Sequence, residues 1–230
     1  MLNMQGYGPL LIEGFKVTVM VGVLSMALAM VIGMFGAWAK LSASPGMRWA
    51  AGVYTTVVRG VPELVTMLLV YYGVPTLIQD IAGTLGYDIR VDFNSFLAGV
   101  ATIGFIYGAF STEVFRGAYL AVPRGQIEAA RACGMSRTLA VRRILLPQMW
   151  RFALPGLGNV WMVLMKATAL VSVIELEELM RAAETGAQAT RLPFNFYLAA
   201  ACLYLLLTAA SMALLHRLEV WANRGIQHGT

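Results

Sequence analysis

The sequence predicts an all-α membrane protein that crosses the bilayer five times. Of its 230 residues, 59% are hydrophobic and 13% are charged, whereas soluble domains average about 45–50% apolar and about 25% charged residues. The apolar residues are gathered into five windows of roughly 20 residues, the length that a helix needs to cross a bilayer. The net charge of +5 comes from basic residues in the gaps between these windows, which argues against a nucleic-acid-binding face.

The five predicted spans are residues 17–38, 51–77, 93–115, 155–174 and 194–215. The first contains an apolar run of about 22 residues, longer than the 7–15 residues of a secretion signal. No Lys or Arg precedes Lys16. We therefore predict a retained membrane helix, with a cleaved signal peptide as the alternative.

The charges of the connections predict the topology. An odd number of spans places the two termini on opposite sides, and basic connections are typical of the cytoplasmic side. The basic connections hold Lys40 and Arg48, then Arg124, Arg131, Arg137, Arg142, Arg143 and Arg151, and finally Arg217 and Arg224. The acidic ones hold Asp80, Asp88 and Asp92 against Arg90, and Glu175, Glu177, Glu178 and Glu184 against Arg181 and Arg191. The N-terminus is therefore predicted outside and the C-terminus in the cytoplasm.

The stretch EAARACGMSRTLAVRRILLP, residues 128–147, is the longest polar segment. Pro123 suits the first turn of a helix, Gly134 suits the left-handed residue that ends one, and Ser136 can cap a second helix. We expect Pro147 to stop that second helix, whose apolar face consists of Val141, Ile144 and Leu145. On physical grounds the segment is either an amphipathic hairpin resting on lipid or a surface that binds a partner.

Seven residues of this segment resemble the EAA loop of ABC importer permeases: Glu128, Ala129, Ala130, Gly134, Ile144, Leu146 and Pro147. The resemblance implies that the segment is a coupling helix, which docks in a cleft of a cytosolic ATPase and converts its closure into movement of the membrane helices. The residue types suit this role, because small side chains permit close approach and glycine permits a sharp turn.

The likeness extends over residues 14–215, with residues 123–147 as the coupling loop within it. The runs RGVPELVTMLLVYYGVP, GFIYGAFSTEVFRGAYLAVPRGQIEAA and LPGLGNVWMVLMKATALVSVI resemble the polar amino-acid branch of this superfamily. The nearest likeness is to the Q-type permease subunits of histidine, lysine-arginine-ornithine and opine (octopine, nopaline) importers.

That resemblance implies a type I importer transmembrane domain in the bacterial inner membrane. It implies a pair of permeases working on two copies of an ABC ATPase, fed by a periplasmic solute-binding protein. No Walker A glycine loop occurs in the sequence, so ATP and Mg²⁺ are expected on the ATPase chains and no cofactor on this one.

Charged residues inside the predicted spans are candidates for a gate or a pathway, because charges in a membrane usually pair or line a cavity. Arg59 and Glu63 are four residues apart, and Glu113 and Arg116 are three apart, so each pair can share a helix face. Mutual neutralisation that fixes helix packing and a cytoplasmic gate are the two alternatives. A GxxxG pair, Gly104 and Gly108, indicates close helix packing only weakly.

In the fourth span, Asn159 and Lys166 are seven residues apart and therefore on one face, with Thr168 and Ser172 nearby. Lys166 either finds an acidic neighbour, snorkels towards water, or lines the pathway. Importers of this family that bind cationic amino acids within the membrane often carry acidic residues directly after the Asn and the Lys. Val160 and Ala167 stand at those positions, so the resemblance predicts that a second, related permease supplies the carboxylates.

Other functions fit less well. A membrane enzyme would need a nucleophile with a base, or a metal cluster, but the only histidines are His216 and His228 and no HExxH or GxSxG motif occurs. The GYG triplet at residues 6–8 precedes the first span and lacks the Thr-Val of a potassium filter. Cys133 and Cys202 are predicted to be free thiols. A basic amino acid or an opine is the predicted substrate, with another polar amino acid as the alternative.

Overall fold

A computed structural model describes residues 4, 6–87 and 94–223. Within these residues the chain folds into eight helices: α1 Gly8–Leu41, α2 Pro45–Gly60, α3 Glu63–Thr84, α4 Ser95–Ala121, α5 Arg124–Ala132, α6 Arg137–Ile174, α7 Leu179–Thr190 and α8 Pro193–Ala222. Five of these helices, α1, α3, α4, α6 and α8, are long and apolar enough to cross a membrane. The predicted all-α fold with five spans is therefore confirmed. Asp88, Arg90, Asp92, Arg224 and His228 lie outside the described residues.

The second span begins later than predicted. The window 51–77 is interrupted by Val61, whose backbone is extended, and by Pro62, which precedes the first residue of α3. Proline disfavours a helical conformation in the residue before it, so the helix must restart after the break. Residues 51–60 consequently belong to the separate helix α2, and the spanning helix is α3.

Helix α6 does not end at Pro147, contrary to the prediction. A single helical path runs from Arg137 to Ile174 through both Pro147 and Pro155. The turn immediately before Pro147, Val141–Leu145, is π-helical, and the N–H of Leu146 donates to the carbonyl of Val141. This wider turn re-satisfies backbone groups next to a residue that has no N–H to donate. The basic segment and the fourth span are therefore one continuous element.

The core of the bundle is the contact between α1 and α4, and it depends on small residues. A methyl group on Gly104 would lie 2.6 Å from Cδ2 of Leu28, and one on Gly108 would lie 2.7 Å from Cγ2 of Ile32. The GxxxG pair thus allows α1 to approach α4 closely, as its spacing suggested. Around this contact lies the main buried cluster, which includes Ile103, Ile106, Tyr107, Phe115, Leu157 and Leu164.

Helices α4 and α6 are antiparallel neighbours, and this arrangement defines the two ends of the molecule. Gly156 lies against Val114 near one end, and Gly99 lies against Val171 near the other. The loop end carries α5 and the turn into α6. The far end carries α7, which packs against α1 and α8. Both cysteines, Cys133 and Cys202, are exposed and free, as predicted.

Candidate functional site

The turn between α5 and α6 is closed by a Schellman motif, in which two backbone N–H groups reach back to the last carbonyls of a helix. The N–H of Met135 donates to the carbonyl of Ala130 (3.0 Å), and that of Gly134 donates to the carbonyl of Arg131 (2.9 Å). Gly134 has a φ of +80°, which residues with a Cβ rarely adopt. Ser136 then caps α6 by accepting from the N–H of Leu139 (3.3 Å). The predicted helix, glycine turn and serine cap are confirmed.

The residues that resemble the EAA loop are mostly uncovered. Glu128, Ala129 and Gly134 are exposed, while Ala130 is 5% exposed and anchors α5 to the rest of the chain. On α6, Leu146 and Pro147 are exposed and Ile144 is half-buried. The loop end therefore presents a small, folded surface that the chain itself leaves open.

This surface is joined directly to the two central helices. α4 ends at Ala121 and is followed by only Val122 and Pro123 before α5 begins. On the other side, α6 carries the chain from Arg137 into the fourth span without a break. A displacement of the turn between α5 and α6 would consequently be transmitted to both α4 and α6.

Towards the same end of the bundle, three helices meet at a cluster of charges. Glu113 of α4 accepts from the Nε of Arg116 (2.9 Å), as predicted from their spacing, and it also accepts from the ammonium group of Lys40 at the end of α1. Lys40 additionally donates to Oγ1 of Thr55 in α2 (2.6 Å). The spacing of residues in the sequence did not indicate Lys40 and Thr55 here, because both are remote from Glu113 along the chain.

The predicted pair of Arg59 and Glu63 does not form, because the break at Pro62 puts them on different helices. Glu63 instead accepts a hydrogen bond from the hydroxyl of Tyr107 (2.8 Å). The guanidinium of Arg59 lies 5.1 Å from the centroid of the Phe110 ring, a cation–π arrangement. The rings of Tyr107 and Phe110 stack with centroids 5.6 Å apart. Both charged residues therefore contact α4 rather than each other.

On α6, Asn159 and Lys166 are both exposed, which agrees with the predicted common face, and Val163 lies between them with 39% exposure. Thr168 does not share this face. It is fully buried, and its hydroxyl donates to the carbonyl of Met165 (2.7 Å).

Val160 and Ala167 are each 6% exposed and belong to the core of this chain. Both positions are therefore covered within this chain, and the supply of carboxylates by a second permease stays a prediction.

The far end contains a buried carboxylate, Glu178, which in the sequence is one acidic residue among several in its connection. Glu178 is 0% exposed and caps α7 by accepting from the N–H of Arg181 (2.9 Å). It also accepts from the hydroxyls of Thr18 in α1 (3.2 Å) and Tyr204 in α8 (3.3 Å). Burial raises the pKa of Glu178, and the hydrogen bonds that it accepts only partly oppose this shift.

The described residues offer no group of three or more His, Cys, Asp or Glu side chains that could hold a metal ion. What they do offer is an exposed folded turn at the loop end, tied to two membrane-crossing helices and flanked by a compensated cluster of charges. Such an arrangement suits a mechanical connection between a surface partner and the helices of the bundle.

Comparison with known proteins identifies the family of this chain. Residues 16–223 match the family model described as "binding-protein-dependent transport system inner membrane component". The nopaline transport system permease protein NocQ of Agrobacterium fabrum is 47% identical over 96% of this chain and 94% of its own length. The histidine/lysine/arginine/ornithine transport system permease protein HisQ of Salmonella typhimurium is 43% identical over 97% of this chain and 98% of its own length.

Solved structures show the same fold. A crystal structure of an amino acid ABC transporter with histidines contains a chain that is 33% identical, with a TM-score of 0.80 over 95% of this chain and 96% of that one. The MetNI methionine ABC transporter shares the fold at 18% identity, with a TM-score of 0.70 over 94% of this chain and 97% of that one. The match over residues 16–223 and the identity to these permeases show that the chain belongs to the family of binding-protein-dependent transport system inner membrane components.

Proposed function

We propose that this chain is a permease subunit of an ATP-driven importer for a basic amino acid or an opine. It forms the translocation path with a second permease, works on two cytosolic ABC ATPases and receives its substrate from a periplasmic binding protein. Permeases for nopaline and for histidine, lysine, arginine and ornithine are among its relatives. Another polar amino acid is the alternative substrate.

The observation that carries the proposal is the continuity of α6 with the exposed turn. Closure of two ATPases around nucleotide displaces whatever is docked between them, and here the docked element would be the helix pair around Gly134. Because α6 runs unbroken from this turn to Ile174, a rigid displacement reaches the far end of the bundle. Glu128 is positioned to accept hydrogen bonds from the ATPase, and Ala129 permits its close approach. ATP and Mg²⁺ are held by the ATPase chains.

The coupling role is tested with Gly134→Val. The left-handed φ at this position strains any residue with a Cβ, although the space around it is open. The variant should assemble, hydrolyse ATP and fail to couple hydrolysis to uptake in proteoliposomes. Gly86→Val is the matched control, since Gly86 also has a left-handed φ (+82°) and open space but lies after α3, away from the turn. Unaltered uptake by Gly134→Val would remove the coupling role.

The proposed orientation places the N-terminus and α7 in the periplasm and the α5–α6 turn in the cytoplasm. It is supported by the excess of basic residues at the loop end. In a background without Cys133 and Cys202, a cysteine introduced by Thr185→Cys should react with an impermeant maleimide in intact spheroplasts. One introduced by Ser136→Cys should be protected. The reverse labelling pattern would invert the topology.

We infer that the second permease is a related chain rather than a copy. A homodimer would bring two exposed lysines, Lys166 of each copy, to one path, where like charges repel in a medium of low dielectric constant. Uptake of radiolabelled arginine and histidine is compared with and without the neighbouring permease. Full uptake from this chain with its ATPase and binding protein alone would contradict a heterodimer.

A separate measurement identifies the class of substrate. Because the binding protein selects what is delivered, the ligand that copurifies with the cognate binding protein, measured by mass spectrometry and calorimetry, identifies the substrate. A basic amino acid or an opine is expected. A neutral or acidic amino acid would favour the alternative.

A further inference from the structure

Glu63 is an acidic residue at the start of a membrane-crossing helix, α3, and it has little to compensate its charge. It is partly exposed. Among the described residues, its carboxylate forms no salt bridge and accepts one side-chain hydrogen bond, from Tyr107. A carboxylate has about four sites that can accept hydrogen bonds. Most of its capacity to bind a donor or a cation is therefore unused within this part of the chain.

Among the described residues, two other acidic groups bridge elements of the bundle, and both are satisfied. Glu113 is held by Lys40 and Arg116, and Glu178 accepts from Arg181, Thr18 and Tyr204. Glu63 differs from both, because its predicted cationic partner, Arg59, is placed on the Phe110 ring. A charge without a partner is costly in a membrane segment, so such residues usually pair or line a pathway.

The depth of Glu63 in the bundle can be read from the contacts of α4 with α6. Since Gly156 lies against Val114 and Gly99 against Val171, the antiparallel register puts Tyr107 level with Val163. Val163 is on the exposed face of α6, about 6 Å along the axis from Asn159 and about 4.5 Å from Lys166. The carboxylate of Glu63, which Tyr107 contacts, is therefore level with the face of α6 that carries Asn159 and Lys166.

Helix α3 also contacts α6. The first turns of α3 pack against α4 and against the 3₁₀ turn Thr168–Ile174 that follows Lys166. Helix α3 is itself little covered, since 6% of its apolar window is buried within the chain. Glu63 is thus partly exposed at the depth of Asn159 and Lys166, on a helix that the chain leaves largely uncovered, where a ligand crossing the membrane can reach it.

We propose that Glu63 is the specificity-determining residue in this chain that recognises the cationic group of the imported amino acid's side chain, an ammonium or a guanidinium. The inference rests on the proposed function and deepens it. The substrate's positive charge supplies the ion pair that Glu63 lacks, and Tyr107 orients the carboxylate. This chain therefore contributes a carboxylate to the path from α3, rather than from the positions of Val160 and Ala167.

The test uses the complete complex of both permeases and the ATPases, reconstituted with its binding protein. Uptake of radiolabelled arginine is measured over a range of concentrations. Binding of arginine and of citrulline, whose side chain has nearly the same shape but no charge, is measured on the complex without the binding protein. Glu63→Gln removes the charge but keeps an acceptor for Tyr107, so folding is preserved. Glu63→Asp restores the charge, Tyr107→Phe removes only the hydroxyl, and Glu13→Gln is the control, removing an exposed carboxylate at the far end of α1.

Glu63→Gln should weaken arginine binding and raise the KM for arginine uptake at least tenfold, with citrulline binding unchanged. Glu63→Asp should recover most of the loss, while Tyr107→Phe and Glu13→Gln should each change the KM less than threefold. An unchanged KM in Glu63→Gln, an equal loss for citrulline, or the same loss in Tyr107→Phe would overturn the inference. Wild-type import of only uncharged amino acids would also overturn it. The absence of any amino-acid import by the wild-type complex would instead overturn the proposed function.

Discussion

The two ends of the bundle hold a carboxylate in different ways. At the loop end, Glu113 is 22% exposed and is neutralised by two cations, Lys40 and Arg116. At the far end, Glu178 is fully buried, accepts hydrogen bonds from neutral donors, and forms no salt bridge within the described part of the chain. The first is a cluster of charges, and the second is a capped helix end with a raised pKa.

This difference indicates that the two ends of the bundle are stabilised by different interactions. Charges at the loop end join α1, α2 and α4 beside the turn that we propose to follow the ATPase. At the far end, Glu178 fixes α7 to α1 and α8 through short contacts, and a methyl group on Gly14 would lie 2.9 Å from the carbonyl of Glu178. The far end is thus held by burial and packing, which salt does not screen. Three predictions test this contrast.

The largest effect is expected from Glu113→Ala, which leaves Lys40 and Arg116 without their shared partner. Breaking a fully buried ion pair costs about 3–5 kcal/mol, and the partial exposure of this cluster lowers the expected loss of unfolding free energy to about 2–3 kcal/mol. Thermal and denaturant unfolding of the purified complex measure it. Glu13→Ala breaks an exposed pair with Lys16 and should cost less than about 1 kcal/mol. Equal losses in the two variants would show that the cluster at the loop end is not structural.

The next effect is expected from Thr18→Val, a change of nearly equal volume. The hydroxyl of Thr18 donates to Glu178 and accepts from the N–H of Leu179 (3.0 Å). Its removal leaves buried polar groups unsatisfied and should cost about 1–2 kcal/mol. Thr185→Val is the control, since Thr185 is exposed and only its hydroxyl bond to Arg181 is lost. A loss no larger than that of the control would mean that Thr18 does not hold α7.

The smallest effect is expected from Glu178→Gln, and it appears in the pH dependence. Because burial raises the pKa of Glu178 above the ordinary value of 4.5, the folded chain binds this proton more tightly than the unfolded chain. The resulting stability is present in full below pH 4.5 and is lost as the pH rises through the pKa of the folded chain. The melting temperature of Glu178→Gln should therefore change less with pH over that interval. Parallel curves for the variant and the wild type would contradict the assignment.

Some contacts could be predicted from the sequence because they are local. The pair of Glu113 and Arg116, the glycine turn at Gly134 and the serine cap at Ser136 each depend on residues a few positions apart, whose geometry is set by the helix itself. Two predictions were wrong because the backbone at a proline differs from the regular helix, or the helix end, that the spacing assumed. Arg59 and Glu63 have the spacing of an ion pair, but Pro62 places them on separate helices. Pro147 was expected to end a helix, but the π-helical turn before it allows α6 to continue.

The number of spans, the exposed basic turn and the membership in the permease family were determined by the sequence itself, since hydrophobic length, charge placement and short-range turn chemistry are properties of the chain. Only the tertiary structure decided which carboxylate is compensated and which is not. Lys40 reaches Glu113 from 73 residues away, and Thr18 reaches Glu178 from 160 residues away. Composition does not encode such pairings, because they arise when helices distant in sequence pack at a defined depth. The packing of the bundle therefore gives Glu63 one side-chain hydrogen-bond donor among the described residues, Tyr107, although the sequence predicted an ion pair with Arg59.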